Sequence, residues 1–119
     1  MFRISNLDGW IMNKDEEVAR ITIERGELLQ YKILSKNLPV EFLIRDSESE
    51  AIMDFLEDRV VPSTRIGITN ELKAIGIPYY DPTLILNYNH GISFDDTFWI
   101  RFVGEQLSYA EIHKRMLEV

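Results

Sequence analysis

Residues 59–101 read RVVPSTRIGITNELKAIGIPYYDPTLILNYNHGISFDDTFWIR and carry most of the punctuation in the chain. Pro62 breaks any helix that reaches it, because it supplies no N–H and disfavours helix at the residue before it. Ser63 or Thr64 can then cap a new helix in which Ile68, Leu72 and Ile75 share a face, and Gly76 stops that helix before Pro78. Asp81 caps a further helix with Pro82 at its first position, where a missing N–H costs nothing. Leu84, Ile85 and Tyr88 make its expected buried stripe, and Gly91 closes it. Beyond it, Phe98, Ile100 and Phe102 alternate with Trp99 and Arg101, the period of two that predicts a strand over 97–103. That late strand decides the class, because it has to rejoin a sheet laid down earlier.

The earlier sheet is read from the first 40 residues. A short strand or two is expected over 2–12, with Asp8-Gly9 as a turn before Trp10, and Asn13-Lys14-Asp15-Glu16 is turn-like. Ala19, Ile21 and Ile23 then share one face of a strand, with Arg20, Thr22 and Glu24 on the other. Arg25-Gly26-Glu27 is a short connection, after which Leu29, Tyr31 and Ile33 alternate. This is an antiparallel meander with one wet face. Pro39 ends it, and residues 41–44 read as one more short strand.

Asp46 or Ser47 starts the first helix, with Ile52, Phe55 and Leu56 as its apolar stripe and acidic residues around it. At the other end of the chain, Ser108 and Glu111 form a capping box with Leu107 and Ile112 as its hydrophobic staple, opening a helix that runs to about Leu117. The fold class is therefore α+β: an N-terminal meander, three to four short helices gathered on one side, and one late strand.

The 119 residues make a single domain, long enough to bury roughly 65–70% of their unfolded surface. No apolar run approaches a membrane span, and the first ten residues lack the continuous apolar region of a signal peptide. With no cysteine there is no disulfide framework and no thiolate metal site, which suits a cytoplasmic protein. A net charge of −7 argues against gripping nucleic acid over a broad face. It favours partners with basic surfaces.

Motifs that carry catalysis are missing. His90 and His113 lie far apart without a second histidine at ligand spacing, so no metal or cofactor is expected. Asp95 and Asp96, adjacent on an extended chain, point to opposite faces and read as turn or capping residues. There is no G-x-S-x-G elbow, no G-x-G-x-x-G and no P-loop. An enzyme would require Asp95 or Asp96 to converge with His90 in a pocket.

Arg59, Arg65 and Arg101 are the arginines of the opening stretch, in a chain short of positive charge. They either form a site for a small anion or carboxylate, or pair with Asp95, Asp96 and the acidic helix to tie the late strand down. Trp99 and Trp10 are core or interface aromatics.

Several motifs resemble the N-terminal, non-catalytic region of HipA-like proteins, relatives of the serine/threonine kinase toxins of toxin–antitoxin systems. They are Met12-Asn13-Lys14, the run from Arg59 through Pro62 and Ser63-Thr64 to Arg65, the run Ile92–Ile100, and the tail Leu107–Ile112. The chain has no candidate set for the phosphate-cradling loop, catalytic Asp and metal-binding residues of a kinase. The resemblance therefore implies an accessory domain that docks on a kinase-like or other protein and modulates it.

The expected docking face comprises Arg59, Arg65, Asp96, Trp99 and Arg101, with the sheet edge near Trp10 as a second candidate, and the chain could also form a homo-oligomer. The alternative is an acidic, phage- or mobile-element-encoded inhibitor. It would use Glu48, Glu50, Asp54, Glu57 and Asp58 to block a nucleic-acid site on a defence or host enzyme.

Overall fold

The computed structural model describes residues 4–117. Phe2 and Arg3, the first residues of the expected opening strand, lie outside them. The elements are β1 (Leu7–Asn13), β2 (Glu16–Glu24), β3 (Glu27–Ile33), α1 (Glu41–Ile44), α2 (Glu48–Asp58), α3 (Ile68–Ala74), α4 (Pro82–Asn89), β4 (Phe98–Phe102) and α5 (Tyr109–Leu117). The strands form one antiparallel sheet in the order β3-β2-β1-β4. This is the expected α+β layout, meander first and late strand rejoining, with β4 set against β1.

Two-residue turns join the meander. Lys14 has a positive φ at the first, and Arg25 and Gly26 both do at the second, the backbone that matches a tight hairpin to the twist of its strands. The pairings Ile11↔Ala19, Gly9↔Ile21 and Leu7↔Ile23 bring the apolar positions of β1 and β2 to one face. Against that face pack Ile52, Phe55 and Leu56 of α2, Ile68 and Leu72 of α3, and Ile85 and Leu86 of α4.

Asp8 and Gly9 form no turn; both lie inside β1. Gly9 is needed there because β4 comes close: a Cβ on it would sit 2.2 Å from the Arg101 carbonyl oxygen. Residues 41–44 form one helical turn where a strand was expected. Phe42 and Leu43 donate back to the carbonyls of Pro39 and Val40, and Phe42 alone of the turn packs on the core.

The cap expected at Ser63 or Thr64 falls at Gly67, three or four residues later. Residues 62–67 make successive turns, and α3 starts behind the left-handed Gly67. In α4 the buried position belongs to Leu86, while Tyr88 is exposed. The helix caps at Ser47, Asp81 and Ser108 are where the sequence puts them: Ser47 accepts from Glu50 N, Asp81 from Thr83 N and Leu84 N, and Ser108 from Glu111 N.

The helices do not all lie on one side. Trp99 and Met12, opposite each other on β4 and β1, point away from the main core. With Ile112 of α5 they form a second buried cluster, flanked by Trp10, Leu107 and Tyr109. The face expected to be wet is thus covered by α5 around Met12 and Trp99.

Candidate functional site

The six residues of the expected docking face are distributed over four places. Arg59 follows the last turn of α2 with only 8% of its side chain exposed. Its Nη2 pairs with the Asp96 carboxylate, its Nη1 donates to Gly91 O at 3.2 Å, and its guanidinium lies 4.7 Å from the Phe55 ring centroid. Asp96 uses its other oxygen to accept from Phe98 N at 3.0 Å. The pair therefore ties the loop that starts β4 to the end of α2.

Arg101 pairs with Glu17 across the sheet and lies 4.9 Å from the Trp10 ring, which has Arg20 at the same distance on its other side. Cross-strand pairing imposes this stack, since Trp10 faces Arg20 on β2 and Arg101 on β4. Arg65, far from both groups in its contacts, pairs with Glu71 at 3.3 Å on the exposed side of α3.

Trp99 has no exposed surface and its Nε1 donates to Lys14 O at 2.6 Å. It belongs to the core under α5 and offers no surface to a partner.

Around Arg59 lies a pocket of about 290 Å³ lined by Glu41, Asp58, Ser93, Asp95 and Asp96. Desolvation by burial, followed by the hydrogen bond with Asp58, raises the Glu41 carboxyl above its ordinary range, and the nearby Arg59 charge opposes that shift. His90 does not join this pocket. Its buried ring donates from Nε2 to Glu105 at 2.9 Å and lies 5.1 Å from the Phe102 ring centroid. Its backbone carbonyl accepts from Ile100 N at 2.7 Å. The imidazole thus joins the end of α4 to β4 and the loop after it. Sequence reasoning missed this pair because Glu105 carries no spacing signal that points to His90. Among the described residues no group of three or more His, Asp or Glu is placed to hold a metal ion. No helix among them is long and apolar enough to cross a membrane.

Two features that sequence reasoning did not single out remain open on the surface. The first is α1. Leu43 is 85% and Ile44 65% exposed, with Val40 beside them also exposed. No residue of this helix is fully buried. Single exposed apolar side chains are ordinary, but three within five residues make a patch. Its signal was the apolar run from Phe42 to Ile44, read as strand. The second is a groove of about 730 Å³ between the β2–β3 turn and α2, floored by Leu28 and Met53 and rimmed by carboxylates. Comparison with family models, with curated proteins and with solved structures gave no match.

Proposed function

We propose that this chain is a cytoplasmic, non-enzymatic docking domain that binds a protein partner through the apolar patch of α1 and modulates it. The observation that supports this most is the exposure of Val40, Leu43 and Ile44 on a helix with no fully buried residue. Removing such side chains from water gives association its main driving force. On the resemblance to the N-terminal region of HipA-like proteins, the partner is a kinase-like protein of a toxin–antitoxin system. Arg59, Asp96 and Arg101 then serve the fold, and Arg65 and the rim of the Trp10 stack lie outside the contact.

The test is affinity purification with the native chain and with a Leu43→Asp, Ile44→Asp variant. Both positions are exposed, so the variant should keep its circular dichroism and melt within about 0.5 kcal/mol of the native chain. It should also lose the partner. Undiminished recovery of the same protein would remove α1 from the interface.

The carboxylates Glu48, Glu50, Asp54, Glu57 and Asp58 all lie on α2, and this favours a second reading, an acidic inhibitor that covers a nucleic-acid site. Capture by that mode weakens steeply with added salt, whereas capture by the apolar patch does not.

A further inference from the structure

β3 is an outer strand of the sheet. Leu34 N donates inward to Val18 O at 2.9 Å, and the two-residue period of an antiparallel ladder turns the peptide groups of Tyr31 and Ile33 the other way, out of the sheet. α2 runs beside this edge in the opposite direction. Tyr31 Oη donates to Glu48 at 3.5 Å near one end, and at the other Leu28 and Gly26 share the groove with Met53 and Glu57. From Tyr31 back to Glu27 the strand covers roughly 10–13 Å at ~3.3 Å per residue, with Leu29 an extra residue in the pairing with β2, and from Glu48 to Glu57 the helix covers about 13 Å at ~1.5 Å per residue. The groove itself lies at the turn end of this edge, lined on the strand side by Gly26, Glu27 and Leu28, and the edge continues past the Tyr31–Glu48 contact to Ile33.

Its chemistry is one-sided. Leu28 and Met53 make the floor, and Glu27, Glu50, Asp54 and Glu57 make the rim. Arg45, the cation among the lining residues, is paired with Asp54. A second copy of the chain is a poor occupant, because it would bring the same acidic rim and a net charge of −7 against this one.

We propose that this groove receives an extended segment of a protein partner, laid antiparallel or parallel beside β3 as a fifth strand. The segment's groove-facing positions, two residues apart, combine a branched apolar side chain over Leu28 and Met53 with a Lys or Arg reaching the rim. Main-chain bonds to Tyr31 and Ile33 supply alignment, and the alternate side chains supply selectivity. This deepens the docking reading by naming the partner's segment, and it rests on that reading only for the claim that such a partner exists.

The probe is the blocked, fluorescein-labelled octapeptide Lys-Ser-Val-Ser-Lys-Ser-Val-Ser, titrated by fluorescence polarisation and mapped by amide and methyl chemical shifts. Binding should shift the amides of Tyr31 and Ile33 and the methyl of Met53. Replacing both Lys by Glu, or both Val by Ser, should weaken it about tenfold or more, as should Glu50→Lys in the protein. Methylating the peptide's alternate amides, a change that leaves the protein untouched, should abolish it. Equal affinity for the methylated or the valine-free peptide reduces the effect to diffuse charge attraction and overturns the proposal. Shifts confined to another surface, or a dimer in sedimentation that protects the β3 amides, overturn it as well. The Leu43→Asp, Ile44→Asp variant should still bind the peptide. Partner loss in that variant together with a silent groove would reject this inference and leave the α1 docking surface standing.

Discussion

Replacing Arg59 by alanine tests whether its guanidinium is a structural tie or a free cation. The side chain is 8% exposed and holds three things at once: the Asp96 carboxylate, the Gly91 carbonyl and the face of Phe55. A hydrogen bond to a charged group contributes about 1.5–3 kcal/mol, and a cation over an aromatic ring about 0.5–1 kcal/mol. Asp96 is 37% exposed, so water screens its part of the pair and replaces much of it on loss. The sum, discounted for that, is about 3 kcal/mol, or a fall of roughly 10–15 °C in Tm for a chain of this size. Arg59→Lys keeps the charge and loses the fork that reaches both acceptors, so it should fall about midway. Urea denaturation followed by tryptophan fluorescence measures both. Should Arg59→Ala cost less than about 0.5 kcal/mol, the guanidinium holds nothing in the fold. The reading of this group as an anion site would then replace the present one.

Three further outcomes are expected. Trp99→Ala removes a side chain with no exposed surface and leaves the Lys14 carbonyl without its donor, at a cost of about 3–5 kcal/mol. Hydrogen exchange should show the amides of α5 losing protection first, and uniform loss across the sheet would contradict the placement of Trp99 under α5. Gly9→Ala puts a methyl against the Arg101 carbonyl and should cost about 1–3 kcal/mol, read as a lowered urea midpoint. A neutral result would mean that β1 and β4 are not paired in this register. Glu41→Gln should be more stable than the native chain at neutral pH. The Glu41 carboxyl is raised by burial and by Asp58, so its contribution is fully present below the unfolded carboxylate range and is lost as pH rises through the higher folded value. The advantage of the variant should therefore shrink to nothing in acid, and a pH-independent difference would rule out this origin.

The legible parts of the fold were those set by local chemistry. Ser47, Asp81 and Ser108 cap helices where their side chains reach backbone N–H groups two or three residues on, a matter of a few covalent bonds. Ala19, Ile21 and Ile23 declared their face by alternation alone. What stayed hidden depends on residues distant in sequence. Gly9 looks like half of a turn until Arg101 is seen to lie against it, 92 positions away in the numbering. The segment Glu41–Ile44 had the side chains of a strand, yet its amides closed on the nearby carbonyls of Pro39 and Val40 as a helical turn. Trp99 was legible as an aromatic of consequence, yet its burial rests on α5 crossing the second face of the sheet, which neither the strand nor the helix announces. The same limit applied to function: the exposed patch on α1 became visible only once Phe42 had been assigned to the core.

The strand order also governs what happens while the chain is being made. β1 sits between β2 and β4, and about 85 residues separate Asn13 from its partner Phe98. The meander is complete at Ile33 and β4 ends at Phe102, so at the usual elongation rate of ~5–20 residues per second the meander can close roughly 3–14 s before its fourth strand exists. During that interval the unsatisfied side of β1 is open to any passing strand. A nascent-chain binder that recognises bare sheet edges should therefore associate with the ribosome-bound form and release it once Phe102 has emerged.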